Sequence, residues 1–358
     1  MPLWLGLVDF EKAFDTVEHA PLWDALEELG VEAEYIDLLK TLYREQASTV
    51  LVGEESRTFA LERGVKQGDP LSSLLFLAVM EIIFRRLKTR WGRLNLRRSG
   101  SYYGVVVDDA RDPLTNLRFA DDVLLVSTSR KDVKRMIAEL AKEALKFGLK
   151  LHAGKTKILT NESTSRQTPV SCGGQDVHIL QEGESEKYLG RKLSIDEFHN
   201  TELDNRLAMG WASFFKLKGA LCNRQVPLKD RLKLFESSVT PCVLYACGAW
   251  TMKTDMDHKL RSTWRRMLRW MIKPSRAEDE EWVDYIIRAT RICEALALRH
   301  GCSDWTGLQR KRKRELAAKS ALVRDGRWSR RLLNWVPWFR CVPHRNVGHP
   351  VKRWADEF

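Results

Sequence analysis

The sequence predicts an α+β fold, in which a short sheet packs on helices and is followed by a mostly helical region. Over the first ~160 residues short apolar runs alternate with segments of helical periodicity, and helical patterns dominate after about residue 196. Apolar residues make up 44% of the 358 residues, with only 11 prolines and 21 glycines, which favours a packed chain over a disordered one.

The first apolar run, Leu3 to Val8, predicts a buried strand. Two segments with helical spacing follow it, beginning at Trp23 and at Tyr35. The runs Ser48 to Val52 and Thr58 to Leu61 flank a Gly-Glu-Glu sequence, which predicts a β-hairpin.

Two longer helices are expected next. Asp69-Pro70 is a strong helix start, because Asp can cap the free amides and Pro is tolerated at the first helical position. We expect this helix to extend to about Trp91. Arg130 to Phe147 has an apolar stripe at helical spacing, and Gly148 is well placed to end that helix.

Between and after these helices the pattern predicts strands and a loop. Leu117 to Phe119 and Val123 to Ser127 are strand-like runs that meet at a tight turn. Residues 161–176 are polar and predict a loop, and Tyr188 to Leu193 predicts one short strand.

We divide the chain into three parts on this basis. Residues 1–195 form the α+β part, residues 196–300 a helical region, and residues 301–358 a basic segment rich in tryptophan. Ten of the 13 tryptophans follow residue 196, which supports the change of character there.

Composition limits the classes of function. Lys and Arg number 60 against 48 Asp and Glu, a net charge of +12, which favours a polyanionic partner. The longest apolar stretch, Leu71 to Phe84, contains two serines and a glutamate and is shorter than the ~20 residues of a membrane span. The first residues lack a secretory signal, and seven cysteines without framework spacing favour a reducing compartment. We therefore expect an intracellular protein without a membrane segment.

Three acids occupy the ends of predicted strands. Asp9 follows the first strand, and Asp121 and Asp122 lie at the turn between two later strands. Carboxylates beside a sheet are costly unless a positive charge joins them, and a pair of Mg²⁺ ions in phosphoryl transfer would supply it. Taken alone, two acids in a turn are better explained by the ordinary preference of Asp for turns.

Five segments occur in an order that resembles the palm motifs of reverse transcriptases. They are Asp9-Phe-Glu-Lys-Ala-Phe-Asp15, Gly64-Val-Lys-Gln-Gly-Asp-Pro-Leu-Ser-Ser-Leu-Leu-Phe76, Phe119-Ala-Asp-Asp-Val-Leu-Leu125, Phe147-Gly-Leu-Lys-Leu-His-Ala-Gly-Lys-Thr-Lys157 and Lys187-Tyr-Leu-Gly-Arg-Lys-Leu193. The amino-acid sequences of these segments are most similar to those of non-LTR (LINE-type) retrotransposon polymerases. The resemblance extends over residues 3 to 195, and more weakly into a thumb-like region and a basic tail. It implies a polymerase palm followed by a helical thumb.

The resemblance also implies roles for individual residues. Asp9, Asp121 and Asp122 would bind two Mg²⁺ ions, for which Mn²⁺ can substitute, with help from the carbonyl of Phe10. Lys155 would protonate the departing pyrophosphate, although this chain has His152 and Gly154 where the family pattern differs. A solvated lysine is the alternative.

Other positions would contact the substrates. Phe14 would lie beneath the incoming sugar and select deoxynucleotides, with packing in the core as the alternative. Gln67, Gly68, Asp69 and Pro70 would contact the nucleotide or template, while Asp69 also caps the helix. Tyr188, Leu189 and Gly190 would support the primer end, or they simply form a packed strand.

Basic residues of the C-terminal half are candidates for nucleic-acid contact. Positive charge interleaved with aromatic rings suits phosphates and unpaired bases. The candidates are Arg265, Arg266, Arg269, Arg310, Lys311, Arg312, Lys313 and Arg314. The run at 310–314 equally fits a nuclear-import signal.

The function implied by the resemblance is RNA-directed DNA polymerase, with an RNA template, a DNA primer and deoxynucleoside triphosphates as substrates and a nuclear or cytoplasmic ribonucleoprotein as its setting. We expect the family's fingers region to be missing or partial and its endonuclease region to be missing from this sequence, and we expect other retroelement-encoded domains as partners. The alternative is a catalytically inactive remnant that binds nucleic acid. An RNA-templated RNA polymerase fits poorly with Phe14 and with Phe119-Ala-Asp-Asp.

Overall fold

The computed structural model describes residues 1–52, 54–55, 58–95, 103–108, 112–162, 169–172, 175–195, 198–323, 326–333 and 354. These residues fall into two compact units, 1–189 and 190–358. Residues 334–353 and 355–358 of the predicted basic C-terminal segment lie outside the described residues. No helix of the described residues is both long and apolar enough to cross a membrane.

The first unit combines a sheet with five helices among its described residues. Its strands are β1 (Trp4–Val8), β2 (Ala47–Ser48), β3 (Leu51–Val52), β4 (Glu54–Glu55), β5 (Phe59–Ala60), β6 (Asn116–Phe119), β7 (Asp122–Ser127), β8 (Lys157–Thr160), β9 (Val170–Cys172), β10 (Gln175–Ile179) and β11 (Ser185–Tyr188). Its helices are α1 (Ala13–Thr16), α2 (His19–Glu28), α3 (Ala33–Tyr43), α4 (Pro70–Asn95) and α5 (Arg130–Leu145). The predicted α+β class is confirmed.

The main sheet has the strand order β6-β7-β1-β8-β10-β9. β1 pairs antiparallel with both β7 and β8, so the two apolar strands predicted from the sequence are interior and adjacent. β10 pairs with β8 in parallel, and the remaining neighbours are antiparallel. β2 with β5, and β3 with β4, form the predicted hairpin.

Side-chain caps mark the starts of the two long helices of the first unit. Asp69 accepts a hydrogen bond from the amide of Leu71 at 3.0 Å and so caps α4. α4 extends to Asn95, one turn beyond the predicted end, because the Asn95 side chain is buried and bonds both backbone groups of Tyr103. The Ser129 hydroxyl caps α5 by accepting from Asp132.

Two sequence-based predictions were wrong. The predicted loop 161–176 contains β9 and part of β10, whose Val170, Val177 and Ile179 are buried and extend the sheet edge. The short strand predicted from Tyr188 to Leu193 is instead two strands, because Leu189 and Gly190 both adopt positive φ and reverse the chain.

The second unit is mostly helical, as expected. It contains β12 (Arg191–Ser194), α6 (Phe198–Lys216), α7 (Lys218–Leu221), α8 (Leu228–Ser238), α9 (Thr240–Val243), a 3₁₀ turn (Cys247–Ala249), α10 (Thr254–Ile272), α11 (Trp282–Arg299), α12 (Trp305–Leu322) and α13 (Trp328–Leu333). Its core contains the buried rings of Phe214, Phe235, Trp250, Trp264 and Trp305. Many of the tryptophans in this half are therefore packing residues.

Candidate active site

The acids Asp9 and Asp122 lie side by side at one end of the central strands. Val8 of β1 pairs with Val123 of β7, so the next residues along the two antiparallel strands, Asp9 and Asp122, are neighbours. Asp121 sits in the two-residue turn that connects β6 to β7, next to Ala120, whose φ is 53°. The backbone ladder thus brings together acids that are more than a hundred residues apart in the chain.

Asp9 is held by the segment that precedes β8. Its carbonyl accepts a hydrogen bond from the amide of His152 at 2.9 Å. Its Oδ2 atom is buried and accepts no hydrogen bond, while the ammonium of Lys155 lies 3.4 Å away as an ion pair. Among the described residues, Lys155 is the only one that forms an ion pair with this carboxylate. The negative charge of Asp9 is therefore only partly offset.

Asp122 has a raised proton affinity. Burial, together with the negative charges of Asp121 and Asp9, raises the pKa of Asp122. Burial and the charge of Asp122 also raise the pKa of the Tyr188 hydroxyl to about 12. Tyr188 is thus a neutral group close enough to Asp122 to feel its charge.

A cavity of about 330 Å³ adjoins Asp9 and Asp122. Its lining includes Lys155, Tyr188 and Glu186. Sequence analysis did not single out Glu186, although it is two residues from Tyr188 on β11 and therefore on the same strand face. Lys157 and Lys187 also line this cavity, so its walls carry both signs of charge.

The three acids do not form a complete metal site on their own. Among the residues that the structure describes, no three His, Cys, Asp or Glu side chains converge as a preassembled ligand cluster. The buried, unbonded Oδ2 of Asp9 and the mutual repulsion at Asp122 nevertheless fit a divalent cation, which would neutralise both. Mg²⁺ sites commonly use few carboxylates and leave positions for substrate phosphates.

The two phenylalanines after β1 differ in their surroundings. Phe10 is buried and bridges to Leu151. Phe14 is only partly buried, and its ring stacks on Phe76 of α4 with centroids 4.7 Å apart. The carbonyl of Phe14 accepts from the Val65 amide at 2.7 Å, which ties it to the segment leading into α4. Phe14 therefore both packs on the core and keeps part of its ring exposed.

The segment before α4 is open to solvent. Gln67, Gly68 and Pro70 are exposed, and Asp69 is half-buried through its capping bond. Gly68 has φ of 88°, and a Cβ added there would meet no atom within 4 Å. Glycine thus allows the positive φ at this position, and the space beside the start of α4 is open.

Tyr188, Leu189 and Gly190 lie at the division between the two units. Tyr188 lines the cavity, while the Leu189 side chain is 38% exposed in the turn. The Gly190 carbonyl accepts a bond from Arg206, and the ring of Tyr245 lies 3.3 Å from where a Cβ would be.

The candidate arginines of α10 already have protein partners. Arg265 pairs with Glu294 at 2.7 Å, and Arg269 donates to the Thr290 hydroxyl at 2.8 Å. Burial lowers the pKa of Arg269. Arg266 lies over the ring of Trp211 with its guanidinium carbon 5.5 Å from the centroid. These contacts join α10 to α11 and α6.

The run at 310–314 is divided between surface and interior. Lys313 is 1% exposed, and its ammonium donates to the Trp250 carbonyl at 3.1 Å. Arg312 donates to the Leu244 carbonyl at 2.9 Å, and Arg310 pairs with Asp257 at 2.9 Å. Lys311 and Arg314 are exposed. Because consecutive residues of a helix point in different directions, some of these cations face the interior and others face solvent. The basic sequence alone does not indicate which.

Comparison with known proteins identifies the family. Residues 2–193 match the family described as reverse transcriptase (RNA-dependent DNA polymerase). A transposon-derived protein of Caenorhabditis elegans is 28% identical over 243 residues, which cover 68% of this chain and 83% of that protein. The Pol polyproteins of retrotransposable element R2 from Nasonia vitripennis and of R2DM from Drosophila melanogaster are 28% and 30% identical over 197 residues. These matches cover 52% of this chain but only 18% and 17% of the polyproteins.

A structure of telomerase from Candida tropicalis, in complex with a fragment of telomeric RNA, is also similar. It matches 92% of this chain and 48% of its own, with a TM-score of 0.42 and 11% identity.

The chain therefore belongs to the reverse transcriptase family of RNA-dependent DNA polymerases. Within that family it is similar to the Pol polyproteins of R2 retrotransposable elements.

Proposed function

We propose that this chain itself extends a DNA 3′ end on an RNA template, using deoxynucleoside triphosphates. The observation that carries the proposal is the pairing of β1 with β7, which sets Asp9 beside Asp122 with Lys155 3.4 Å from Asp9. Intact acids on the interior strands of a sheet are what nucleotidyl transfer requires of the protein.

The proposal assigns two Mg²⁺ ions to Asp9, Asp121, Asp122 and the carbonyl of Phe10. When bound, such ions activate the attacking 3′ hydroxyl and stabilise the leaving pyrophosphate. The protein residues hold the carboxylates in fixed positions through the β1–β7 ladder. Lys155 would hold a proton next to the leaving group, since its flexible, 66% exposed side chain can move away from Asp9.

The remaining assignments concern the substrates. The partly exposed ring of Phe14, braced by Phe76, would exclude a 2′-hydroxyl from the incoming sugar. Gln67, Gly68, Asp69 and Pro70 would contact the new base pair from the open segment before α4. Tyr188, Leu189 and Gly190 would support the primer end, consistent with the position of Tyr188 beside Asp122.

Nucleic-acid contact by the second unit is proposed for its accessible cations. Exposed side chains at Arg310, Lys311 and Arg314, together with Arg266 on α10, can neutralise phosphates. We leave Lys313 out of this surface because its ammonium is buried against the Trp250 carbonyl.

The test is primer extension on an RNA template with dNTPs and Mg²⁺. We expect the purified chain to extend the primer and the Asp121→Asn/Asp122→Asn variant to lose about 10³-fold or more in rate, because charge stabilisation of the transferring phosphate is lost. The single change Asp121→Asn should leave RNA binding and the melting temperature nearly unchanged.

Two results would contradict the proposal. Absence of extension by both proteins, with RNA still bound, would favour a non-catalytic nucleic-acid-binding role. Unfolding of Asp121→Asn would show that this acid has a structural role instead.

A further inference from the structure

An arginine-lined groove of about 640 Å³ lies along the C-terminal half of α4. Its walls include Arg85, Arg86, Arg90 and Arg93 of α4, opposite Glu28 of α2. The groove shares no lining residue with the cavity beside Asp9. It is therefore a separate feature of the first unit.

One of the four arginines is committed to the fold. Arg86 bonds to Glu28 and donates to Glu143 of α5 at 3.4 Å. Glu143 has a side chain only 2% exposed and also accepts from Lys146 at 2.8 Å. Burial alone would raise the pKa of Glu143, but the bonds from Lys146 and Arg86 outweigh it and lower that pKa. Arg86 is thus part of a charge network around the buried carboxylate of Glu143.

The other three guanidiniums keep unused hydrogen-bond donors. The nearest carboxylate oxygens are 3.8 Å from Arg90, on Glu143, and 4.0 Å from Arg85, on Glu81, both beyond hydrogen-bond length. Glu81 is bonded instead to Arg118 at 2.9 Å. Arg93 is exposed and has no ion pair within the described part of the chain. Positive charge in the groove is therefore only partly balanced.

We infer that this groove binds the phosphodiester backbone of a nucleic-acid strand at a site distinct from the three acids. Guanidinium forks suit phosphate oxygens, and they lose less hydration energy on binding than ammonium groups do. From Arg85 to Arg93 the helix rises about 12 Å, which corresponds to about three or four nucleotides of one strand. An elongated row of cations fits a strand better than a small anion.

The inference goes beyond the proposed polymerase activity, because binding in the groove requires neither the acids nor a metal ion. An acidic protein segment is the competing occupant. The nucleic-acid strand is favoured because the family to which the chain belongs acts on nucleic acids.

The first test changes only the charge at one position. Thr89 lines the groove, is exposed, and bonds only to the Arg85 carbonyl of its own helix. Thr89→Glu should weaken binding of fluorescein-labelled 20-nucleotide single strands about 10-fold at low salt, whereas Thr89→Gln should stay within about 2-fold. RNA and DNA of the same sequence are compared by fluorescence anisotropy, without dNTPs or divalent ions.

The second test compares two triple variants that each remove three positive charges from the first unit. Arg85→Gln/Arg90→Gln/Arg93→Gln should reduce the slope of log affinity against log salt by about 2 for a single strand. Lys88→Gln/Lys131→Gln/Lys142→Gln, at exposed positions outside the groove, should leave the slope nearly unchanged.

Equal losses in the two triple variants, or equal affinity of Thr89→Glu and Thr89→Gln, would overturn the inference. A loss confined to the groove variants supports it, and the RNA and DNA arms then identify which strand is preferred. Because no extension is measured, the outcome is independent of whether the chain proves catalytically active.

Discussion

The ion pair between Lys155 and Asp9 is weak enough to be exchanged during function. The Lys155 side chain is 66% exposed, and its nitrogen is 3.4 Å from Asp9 Oδ2. Because the lysine end of the pair is largely in solvent, the pair contributes only about 1 kcal/mol. Lys155 can therefore release Asp9 at small cost when a stronger cation arrives, and this mobility suits the role of proton donor that we propose for it.

His199 is a residue whose surroundings oppose protonation. Burial first, and then the positive charges of Arg191, Lys253 and Lys313, lower its pKa from 6.5 to about 4. Its Nδ1 atom is buried and has no hydrogen-bond partner. In the folded chain this histidine is neutral at mildly acidic pH, whereas in the unfolded chain it is protonated.

The pKa of His199 predicts a loss of stability in acid. As pH falls from about 6.5 to about 4, the unfolded state takes up a proton that the folded state does not, so the free energy of unfolding decreases. We expect His199→Gln to remove about 1–2 kcal/mol of this loss, because part of the ring remains in solvent.

Denaturant unfolding at pH 7 and pH 4.5 measures the effect. The exposed His258 provides the matched control, and His258→Gln should leave the pH dependence of the wild type unchanged. An identical pH dependence for His199→Gln and the wild type would show that the ring is already protonated in the folded chain.

Some single residues of the site were predictable because they directly follow or precede apolar runs that predict strands. Asp9 and Asp122 each stand next to an apolar run that predicted a strand, and the pairing of β1 with β7 makes them neighbours. The joint role of the three acids followed only from the resemblance to the family. Glu186 was missed because its position in the cavity depends on where the tertiary structure places β11, which no local motif marks. The burial of Lys313 was missed because a basic run does not reveal which of its members faces a core.

Among the elements, the junction after α5 depends on Gly148. Its φ is 79°, and an added Cβ would overlap the carbonyl oxygen of Thr16. The same junction connects to the chain after β1, because the Glu18 amide donates to the Phe147 carbonyl at 3.0 Å. Glycine is required here both for the conformation and for the close approach of the two backbones.

We predict that Gly148→Ala lowers the free energy of unfolding by about 3 kcal/mol or more, since it adds backbone overlap to the cost of positive φ. Gly30→Ala is the matched control. Gly30 also has positive φ, at 86°, but an added Cβ would meet nothing within 4 Å, so only about 1 kcal/mol should be lost. Chemical denaturation of both variants distinguishes the cost of the steric overlap at position 148 from the cost of positive φ, which the two positions share. Equal losses would mean that the junction can shift to accept a side chain.

Elements with strong local signals were predicted well, and those formed by long-range pairing were not. The helix start at Asp69-Pro70 follows from capping chemistry that acts within a few residues. β9 and β10 lie in a polar segment and become strands only because β8 offers a parallel edge to β10. Such pairing depends on residues far along the chain, which no local pattern contains.

At the scale of the whole molecule, each unit has its own buried core. The core of the first unit includes Trp4 and Trp91, and that of the second includes Trp250, Trp264 and Trp305. The described residues of the two cores do not overlap. Each unit thus has the apolar interior that a separately folding domain requires.

We therefore predict that fragments 1–189 and 190–358, produced separately, each unfold in a cooperative transition. Near-ultraviolet circular dichroism should show fixed tryptophan environments in both, because each core buries indole rings. A gradual loss of signal in either fragment, without a cooperative transition, would show that its core is not sufficient alone. Both fragments are measured at the same ionic strength, so that salt screens the charges of the two fragments equally.

The adjacency of β1 and β7 in the interior of the sheet has a further consequence for hydrogen exchange. Strands at the centre of a core open only with the whole domain, so their amide protons should be among the slowest to exchange with solvent. The separation of Asp9 and Asp122 is fixed by those same strands. In a heated sample, the geometry of the acids should therefore persist until the first unit melts as a whole, and local fluctuations below that temperature should leave it intact.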